Sequence, residues 1–224
     1  MDMYEGILTT RAMRRFTDEP VTDDEVMACI RAAVQGPSGG NIQPWQFLVL
    51  TDPGLRARVG VVYRRAYERY EAALLASLGE PGFRSPEDES SWNRTLAASR
   101  HLAAHLGDAP VIVLVLMPAI SMTLTDAKGD LDVGTPYASV YPAVQNLMLA
   151  ARSMGIGSVL TTVYRIDQGA VQDLVGVPGQ FEIVALVPLG RPSGRFGTAR
   201  RRPPSAVTHW NAFGAKRRLE GGSS

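Results

Sequence analysis

Two arginine clusters in this chain are of the kind that binds phosphate groups. The first lies near the N-terminus, at Arg11, Arg14 and Arg15, and the second spans residues 200–202. Arginine forms paired hydrogen bonds with phosphate oxygens and keeps its positive charge, so convergence of the two clusters in space would create a phosphate site. From spacing alone, a solvated basic helix end and a basic turn explain the same residues, because charge clusters usually face solvent.

A loop between two prolines has the composition needed to approach a flat ligand closely. Its sequence is Pro37-Ser38-Gly39-Gly40-Asn41-Ile42-Gln43-Pro44-Trp45. Ser38 and the backbone amides of Gly39 and Asn41 could bond to the polar edge of a planar ligand, with Trp45 anchoring the loop in the core. A plain helix-to-strand connection would also explain the glycines, although it does not require the Asn-x-Gln-Pro-Trp run.

The hydrophobic pattern predicts the elements that must position these residues. Residues 22–25 form a capping box, which begins a helix that ends at Gly36 and has Val26, Ile30, Ala33 and Val34 on one face. Further helices are predicted at 3–10, 55–78, 92–106, 141–154 and 167–175, the last of them capped, and strands at 45–51, 111–117, 158–163 and 182–189. The intervening segments 79–91 and 118–134 are predicted as loops, the second one mobile or ordered by a partner.

These elements indicate an α+β fold with a central, mostly antiparallel sheet flanked by helices. There is no internal repeat and no clear linker, so we predict a single domain over residues 1–212. The polar residues 213–224 are expected to form a disordered tail.

Composition argues against several classes of protein. The 224 residues are 45% hydrophobic and 20% charged, as in ordinary globular proteins, and the formal net charge of +1 gives no attraction to nucleic acid. The apolar run at 111–117 is too short to cross a membrane. With a single cysteine and no apparent signal peptide, we expect a cytoplasmic protein.

The order of these motifs resembles the nitroreductase family of flavin mononucleotide (FMN) enzymes. The matching segments are Arg11-Ala12-Met13-Arg14-Arg15-Phe16, the run from Pro37 to Trp45, Gln145-Asn146-Leu147, Gly155-Ile156-Gly157 with the following strand, Gly190-Arg191-Pro192, and residues 200–203. They are collinear and extend over residues 4–210. The resemblance implies the family's dimeric fold, with a helix around 141–154 at the dimer axis.

The resemblance also implies which residues contact FMN. They are Arg11, Ala12, Arg14, Arg15, Pro37, Ser38, Gly39, Asn41, Leu160, Thr161, Thr162, Arg200 and Arg201. The arginines would hold the phosphate and ribityl chain, and the loop at 37–41 would reach the flavin from the second subunit. The segment 160–162 would present a backbone N–H to the flavin N5 edge.

Two departures from the family pattern affect these expectations. Ala12 stands where many members have serine, and Thr10 where many have arginine, so one or two phosphate contacts are expected to be lost or replaced by backbone groups. Thr161 and Thr162 replace a common Gly-Gly or Glu-Gly pair, which suggests a subgroup whose substrate is not a nitroaromatic compound.

The activity implied by the resemblance is that of a homodimeric oxidoreductase with two sites at the subunit interface. NADH or NADPH would pass hydride to the flavin N5, and a small organic oxidant such as a nitroaromatic or a quinone would then collect the electrons in a ping-pong cycle. No side chain is required as acid or base. Arg191 and Arg195 could meet the 2′-phosphate of NADPH or could equally flank the FMN site.

Two other functions remain compatible with the sequence. One is a specialised flavoenzyme of the same fold, which fragments flavin, dehalogenates or dehydrogenates its substrate, with segments 79–91 and 118–135 deciding the reaction. The other is an FMN-binding protein without catalytic activity.

Three side chains that could do other chemistry are better explained by structure. Cys29 lies in a predicted amphipathic helix, where a buried and unreactive thiol is expected. His101 and His105 have helical spacing, but no third ligand is apparent and no metal site is predicted.

Overall fold

An antiparallel sheet lies between two layers of helices. The computed structural model describes residues 1–79, 82–119, 124–131 and 134–217. The helices are α1 (Met3–Thr9), α2 (Asp23–Ala33), α3 (Pro53–Leu78), α4 (Pro86–His105), α5 (Tyr137–Ser153), α6 (Gln168–Val175) and α7 (Pro204–Val207). The strands are β1 (Gln46–Leu50), β2 (Val111–Pro118), β3 (Leu124–Asp126), β4 (Gly129–Leu131), β5 (Gly157–Ser158) and β6 (Phe181–Gly190). The main sheet has the order β1-β2-β6-β5 with every pair antiparallel, which confirms the predicted fold class.

Strand β2 is apolar along its length because helices cover both of its faces. Its odd-numbered residues from 111 to 117 pack with buried residues of α2 and α5. Its even-numbered residues from 112 to 116 pack with buried residues of α3 and α4. The period-2 alternation thus divides one hydrophobic run between two cores.

Helix α2 begins as predicted and delivers the loop at 37–44 to the N-terminal half of α5. Thr22 and Glu25 form the reciprocal capping box. At the far end, a Cβ on Gly36 would lie 2.9 Å from the backbone N of Ala143, so only glycine allows the two backbones to approach this closely. Val34, predicted on the apolar face, is instead 36% exposed at the helix end.

The predicted strand at 158–163 is largely wrong. Strand β5 has only two residues, and beyond it a single bridge joins Thr161 to Leu186 of β6. The chain then enters a 3-10 turn at Val163–Asp167. The β-branched residues at 159 and 161–163 are typical of a strand, but only the Thr161 backbone returns to the sheet.

Two predicted helix starts also differ from the structure. Helix α4 begins at Pro86, six residues before the prediction, because Ser85 caps it by accepting a hydrogen bond from the Asp88 N–H. Helix α6 lacks the predicted side-chain cap. The Asp167 carboxylate instead pairs with Arg65 and Arg69 of α3, at 2.9 and 3.0 Å.

Parts of three predicted segments lie outside the described residues. They are residues 80–81 of the predicted loop 79–91, residues 120–123 and 132–133 of the predicted loop 118–134, and residues 218–224 of the predicted tail 213–224. The described part of the second loop contains the β3–β4 hairpin. Within the described chain, no helix combines the length and the apolar character that crossing a membrane requires.

Candidate functional site

The two arginine clusters converge on one cleft of about 800 Å³, which we call the inner cleft. Its walls are residues 11–15, one side of α4 between Ser91 and Ala98, and residues of the segment 193–201. Seven arginines line it, namely Arg11, Arg14, Arg15, Arg94, Arg195, Arg200 and Arg201. No described acidic residue belongs to this lining, so the cleft has a strongly positive potential suited to an anion.

The segment 11–16 is fixed between β5 and the end of β6. The Met13 N–H donates to the Ser158 carbonyl at 2.9 Å, and the Met13 side chain is buried. Phe16 forms an antiparallel bridge with Pro192. These contacts anchor the backbone on both sides of Arg14 and Arg15, whose side chains line the cleft.

Of the seven arginines that line the inner cleft, Arg14 is the one that is half-buried. Among the described residues it has no carboxylate partner. Burial lowers the pKa of its guanidinium, and the nearby charge of Arg11 lowers it further. A bound phosphate would neutralise both cations and replace the water that Arg14 has lost. The donor set therefore fits the phosphate of FMN.

Arg15 is positioned by a histidine that sequence reasoning did not assign to the site. Its Nη1 donates to His101 Nδ1 at 2.9 Å, which requires that nitrogen to be unprotonated. His101 stacks on His105 at 4.4 Å between ring centroids, and His105 Nδ1 lies 2.8 Å from Asp108. Burial lowers the pKa of His101, and the charge of Arg15 lowers it further, so the accepting form is favoured at neutral pH.

The C-terminal wall of the inner cleft contains Arg195, Arg200 and Arg201, but not Arg191. Arg200 lies 3.3 Å from Asp88 of α4, and Arg201 donates to the Arg200 carbonyl at 3.2 Å. Arg191 instead donates to Glu25 at 2.6 Å and to the Met154 carbonyl at 3.1 Å. Arg191 therefore joins α2 and α5 to the end of β6 and already pairs with a carboxylate, and its contact with a ligand phosphate stays a prediction.

The loop at Pro37 does not line the inner cleft of its own chain. The Ser38 hydroxyl accepts from the Gln43 N–H at 2.8 Å, and Asn41 Oδ1 accepts from the Gln43 amide at 2.9 Å. The Gly39 N–H donates to the Ser139 hydroxyl of α5 at 3.2 Å. Asn41 and Gln43 both have positive φ, at 55° and 49°. The loop is thus held in place by its own polar groups and by Ser139 of α5.

The segment 160–162 lies beside the N-terminal cluster, although it is not part of the cleft lining. Thr161 is buried, its N–H donates to the Leu186 carbonyl at 3.0 Å, and its hydroxyl shares a hydrogen bond of 2.9 Å with Tyr63. Within the described chain the Thr162 N–H has no hydrogen-bond acceptor. Of the two threonines, Thr162 is therefore the one whose backbone can donate to a ligand.

The model of the nitroreductase family matches residues 7–191 of the chain. The chain belongs to the nitroreductase family. This match includes Arg11 to Arg15, the loop at Pro37 and the segment 160–162, while Arg200 and Arg201 lie beyond it. The arginines contributed by the C-terminal wall are thus outside the part of the chain that defines the family.

Several curated proteins are similar to this nitroreductase-family chain. Protein DrgA of Synechocystis is 28% identical over 192 residues, covering 85% of this chain and 84% of that protein. The iodotyrosine deiodinase of Thermotoga neapolitana is 27% identical over 196 residues, covering 85% and 88%. A putative NADH dehydrogenase/NAD(P)H nitroreductase of Archaeoglobus fulgidus is 25% identical over 188 residues, covering 83% of each.

A solved structure shows the same fold. The crystal structure of oxidised iodotyrosine deiodinase bound to FMN and 3-iodo-L-tyrosine superposes with a TM-score of 0.72 at 23% identity, covering 95% of this chain and 100% of that one. The sheet and its two helical layers are therefore those of the nitroreductase fold.

Two contacts at the candidate site of this family member had no signal in the sequence. The Arg15–His101 bond joins residues 86 positions apart, and the Tyr63–Thr161 bond joins residues 98 positions apart. The helical spacing of His101 and His105 relates the two histidines to each other and not to Arg15, and the described residues contain no metal-binding cluster. Cys29 is buried as expected, and burial raises the pKa of its thiol to about 11.

Proposed function

We propose that this chain is an FMN-dependent oxidoreductase that takes reducing equivalents from NADH or NADPH and passes them to a small organic oxidant. The observation on which this rests is the half-buried Arg14 in a cleft lined by arginines and by no described acidic residue. Bound FMN would supply the redox chemistry, since its ring accepts and releases a hydride. The family membership of the chain supports the same choice of cofactor.

The inner cleft would bind the phosphate end of the cofactor. Arg11 and Arg14 would neutralise the phosphate, and Arg15, held by His101, would approach it with a fixed orientation. Arg200 and Arg201 would close the site from the C-terminal side. Because the backbone of 12–13 is bonded to β5, these donors need little reorganisation when the phosphate binds.

The flavin ring would be oriented by backbone groups and by a second copy of the chain. The Thr162 N–H has no acceptor within the described part of the chain and would donate to the ring edge. Tyr63 holds the neighbouring Thr161 through a buried hydrogen bond. The loop with Pro37, Ser38, Gly39 and Asn41 would complete the site from the partner subunit.

Exposed apolar residues support the proposed homodimer. Ile7 and Leu8 of α1 are 50% and 49% exposed, and Ile42 of the loop is 59% exposed. Helices α1 and α2 both pack on α5, so these residues belong to one side of the molecule. A self-complementary interface there would exclude water from the flavin and cover this apolar surface.

The first test is the visible spectrum of the protein purified without added cofactor. We expect the absorption of bound oxidised flavin and its bleaching by NADPH or NADH under anaerobic conditions. Arg14→Ala should weaken FMN binding about tenfold or more, since it removes a charge-assisted contact worth about 1.5–3 kcal/mol. Arg64→Ala, at an exposed position of α3 outside the cleft and in the helical layer opposite α1 and α2, is the matched control and should retain FMN fully. A colourless protein that takes up no FMN would contradict the proposal.

A second candidate function is reductive dehalogenation of a phenolic substrate. Similarity to the iodotyrosine deiodinase of Thermotoga neapolitana over 85% of the chain favours it, as does the Thr161-Thr162 pair. Iodide release from 3-iodo-L-tyrosine by the dithionite-reduced protein would support this reaction. Rapid bleaching by NAD(P)H with turnover of quinones and no iodide release would exclude it.

A further inference from the structure

A second cleft of about 680 Å³ adjoins the inner cleft, and we call it the outer cleft. The two clefts share Ser91, Thr95, Arg200 and Arg201. The outer cleft adds Phe83, Asp88 and Trp92 on the side of α4, and Arg202 and Pro203 on the opposite side. A ligand could therefore extend from one cleft into the other along the Arg200–Arg201 wall.

The positive charge of the combined clefts exceeds what one phosphate monoester neutralises. Such a group carries about two negative charges, whereas the two linings contain the seven inner arginines and Arg202. The only acidic residue that the described linings contain is Asp88, and it lies beside Arg200. The clefts can thus accept a second anion beyond the FMN phosphate.

Arg202 is the residue best placed to bind that second anion. Arg200 is paired with Asp88, and Arg201 donates to the Arg200 carbonyl. Arg202 is exposed and lines only the outer cleft, and in the described part of the chain its guanidinium has no carboxylate within ion-pair distance. A ligand phosphate in the outer cleft would therefore gain a bidentate partner without breaking an existing ion pair.

The opposite wall is aromatic. Trp92 is half-buried in α4, which limits its movement, and Phe83 is 37% exposed. An indole and a phenyl ring offer flat faces on which a planar base can stack. Together with the arginines, they indicate a ligand that has an aromatic ring and a phosphate close together.

We propose that the outer cleft binds the 2′-phosphoadenosine part of NADPH, and that it makes NADPH the preferred electron donor. The inference rests on the proposed function, because it assigns the donor of the same oxidoreductase. The 2′-phosphate would lie against Arg202, and the adenine would stack on Trp92. NADH lacks this phosphate and would lose the contact with Arg202.

Binding of adenosine nucleotides to the purified, FMN-containing chain tests the proposal without turnover. We expect isothermal titration to give a dissociation constant about tenfold lower for 2′,5′-ADP than for 5′-ADP, with the difference shrinking at high salt. Arg202→Ala should abolish the difference, and Arg202→Lys, which keeps the charge, should retain much of it. Trp92→Leu should weaken the binding of both nucleotides.

Arg64→Ala is the control, because Arg64 is exposed on α3 and lines neither cleft. Equal affinities for the two nucleotides, or a difference that survives Arg202→Ala, would overturn the proposal. The flavin absorbance of the same sample is measured separately. A yellow protein without nucleotide discrimination overturns only this inference, whereas failure to take up FMN contradicts the proposed function itself.

Discussion

Glu25 connects three parts of the chain through one carboxylate. Its Oε2 accepts from the Thr22 N–H at 2.9 Å, and its Oε1 accepts from Arg191 at 2.6 Å. The hydrogen bond from the Thr22 backbone lowers the pKa of Glu25, and the bond from Arg191 lowers it further. The charged form is therefore favoured in the folded protein more than in the unfolded chain.

Neutralising Glu25 should make the stability of the protein less dependent on pH. Glu25→Gln keeps an acceptor for Thr22 but loses the charge, and we expect the free energy of unfolding at pH 7 to fall by about 1 kcal/mol. The contribution of the carboxylate is complete above its unfolded pKa, about 4.3, and disappears as the pH falls through the lower folded value. The stability difference between the two proteins in urea unfolding experiments should therefore shrink as the pH is lowered below about 4.3.

The control for this prediction is Glu19→Gln. Glu19 also lies near Arg191, at 3.3 Å, but its side chain is 66% exposed. An exposed pair of this kind contributes about 0–1 kcal/mol. Equal losses in both variants at pH 7 would show that the bonds to Glu25 have no special role.

At the residue level, the sequence indicated the arginines of the cleft but not the residues that hold the site in place. The sequence predicted that the two arginine clusters could converge, and Arg14 and Arg201 line the same cleft. The roles of His101 and Tyr63 depend on tertiary approach across more than 80 residues of chain. No local pattern encodes such an approach.

At the level of elements, the loop at Pro37 is placed by the packing of α2 on α5. Gly36→Ala would put a methyl group 2.9 Å from the Ala143 backbone, which cannot move without shifting α5. We expect the free energy of unfolding to fall by about 1–3 kcal/mol, the usual cost of overpacking. FMN affinity should fall as well if the partner's loop completes the site.

The matched control is Gly169→Ala in α6, where an added Cβ meets no atom within 4 Å. Alanine is favoured over glycine in helices by about 1 kcal/mol, so this variant should be equally or more stable. A Gly36→Ala protein as stable as Gly169→Ala would mean that α2 and α5 do not need this close approach.

The elements predicted best were those with strong local signals. The capping box at Thr22 determines where α2 begins, and the apolar run of β2 determines a buried strand. Both signals come from residues adjacent in the sequence. The strand predicted at 158–163 is shorter in the structure, and the predicted cap of α6 is absent. Both predictions were wrong because contacts with residues distant in the sequence decide these features. Asp167 has the right type and position to cap α6, yet two arginines of α3 compete for its carboxylate.

At the level of the whole molecule, the proposed interface should be sensitive to charge on α1. Ile7→Lys would place an unpaired charge in an apolar contact, and we expect sedimentation analysis at micromolar concentration to show monomers and reduced FMN content. Val61→Lys is the control, because Val61 is 55% exposed but lies on α3, in the opposite helical layer. Dissociation by Val61→Lys alone would place the interface on the other side of the molecule.

The single, shielded thiol makes this protein convenient for spectroscopy. Maleimide reagents react with thiolates, and a buried Cys29 with a pKa of about 11 offers almost none at neutral pH. A cysteine introduced at an exposed site such as Glu68 would then be the one labelled position in each chain. In a dimer, a single pair of spin labels would result, and the distance between them would measure how the two copies are arranged.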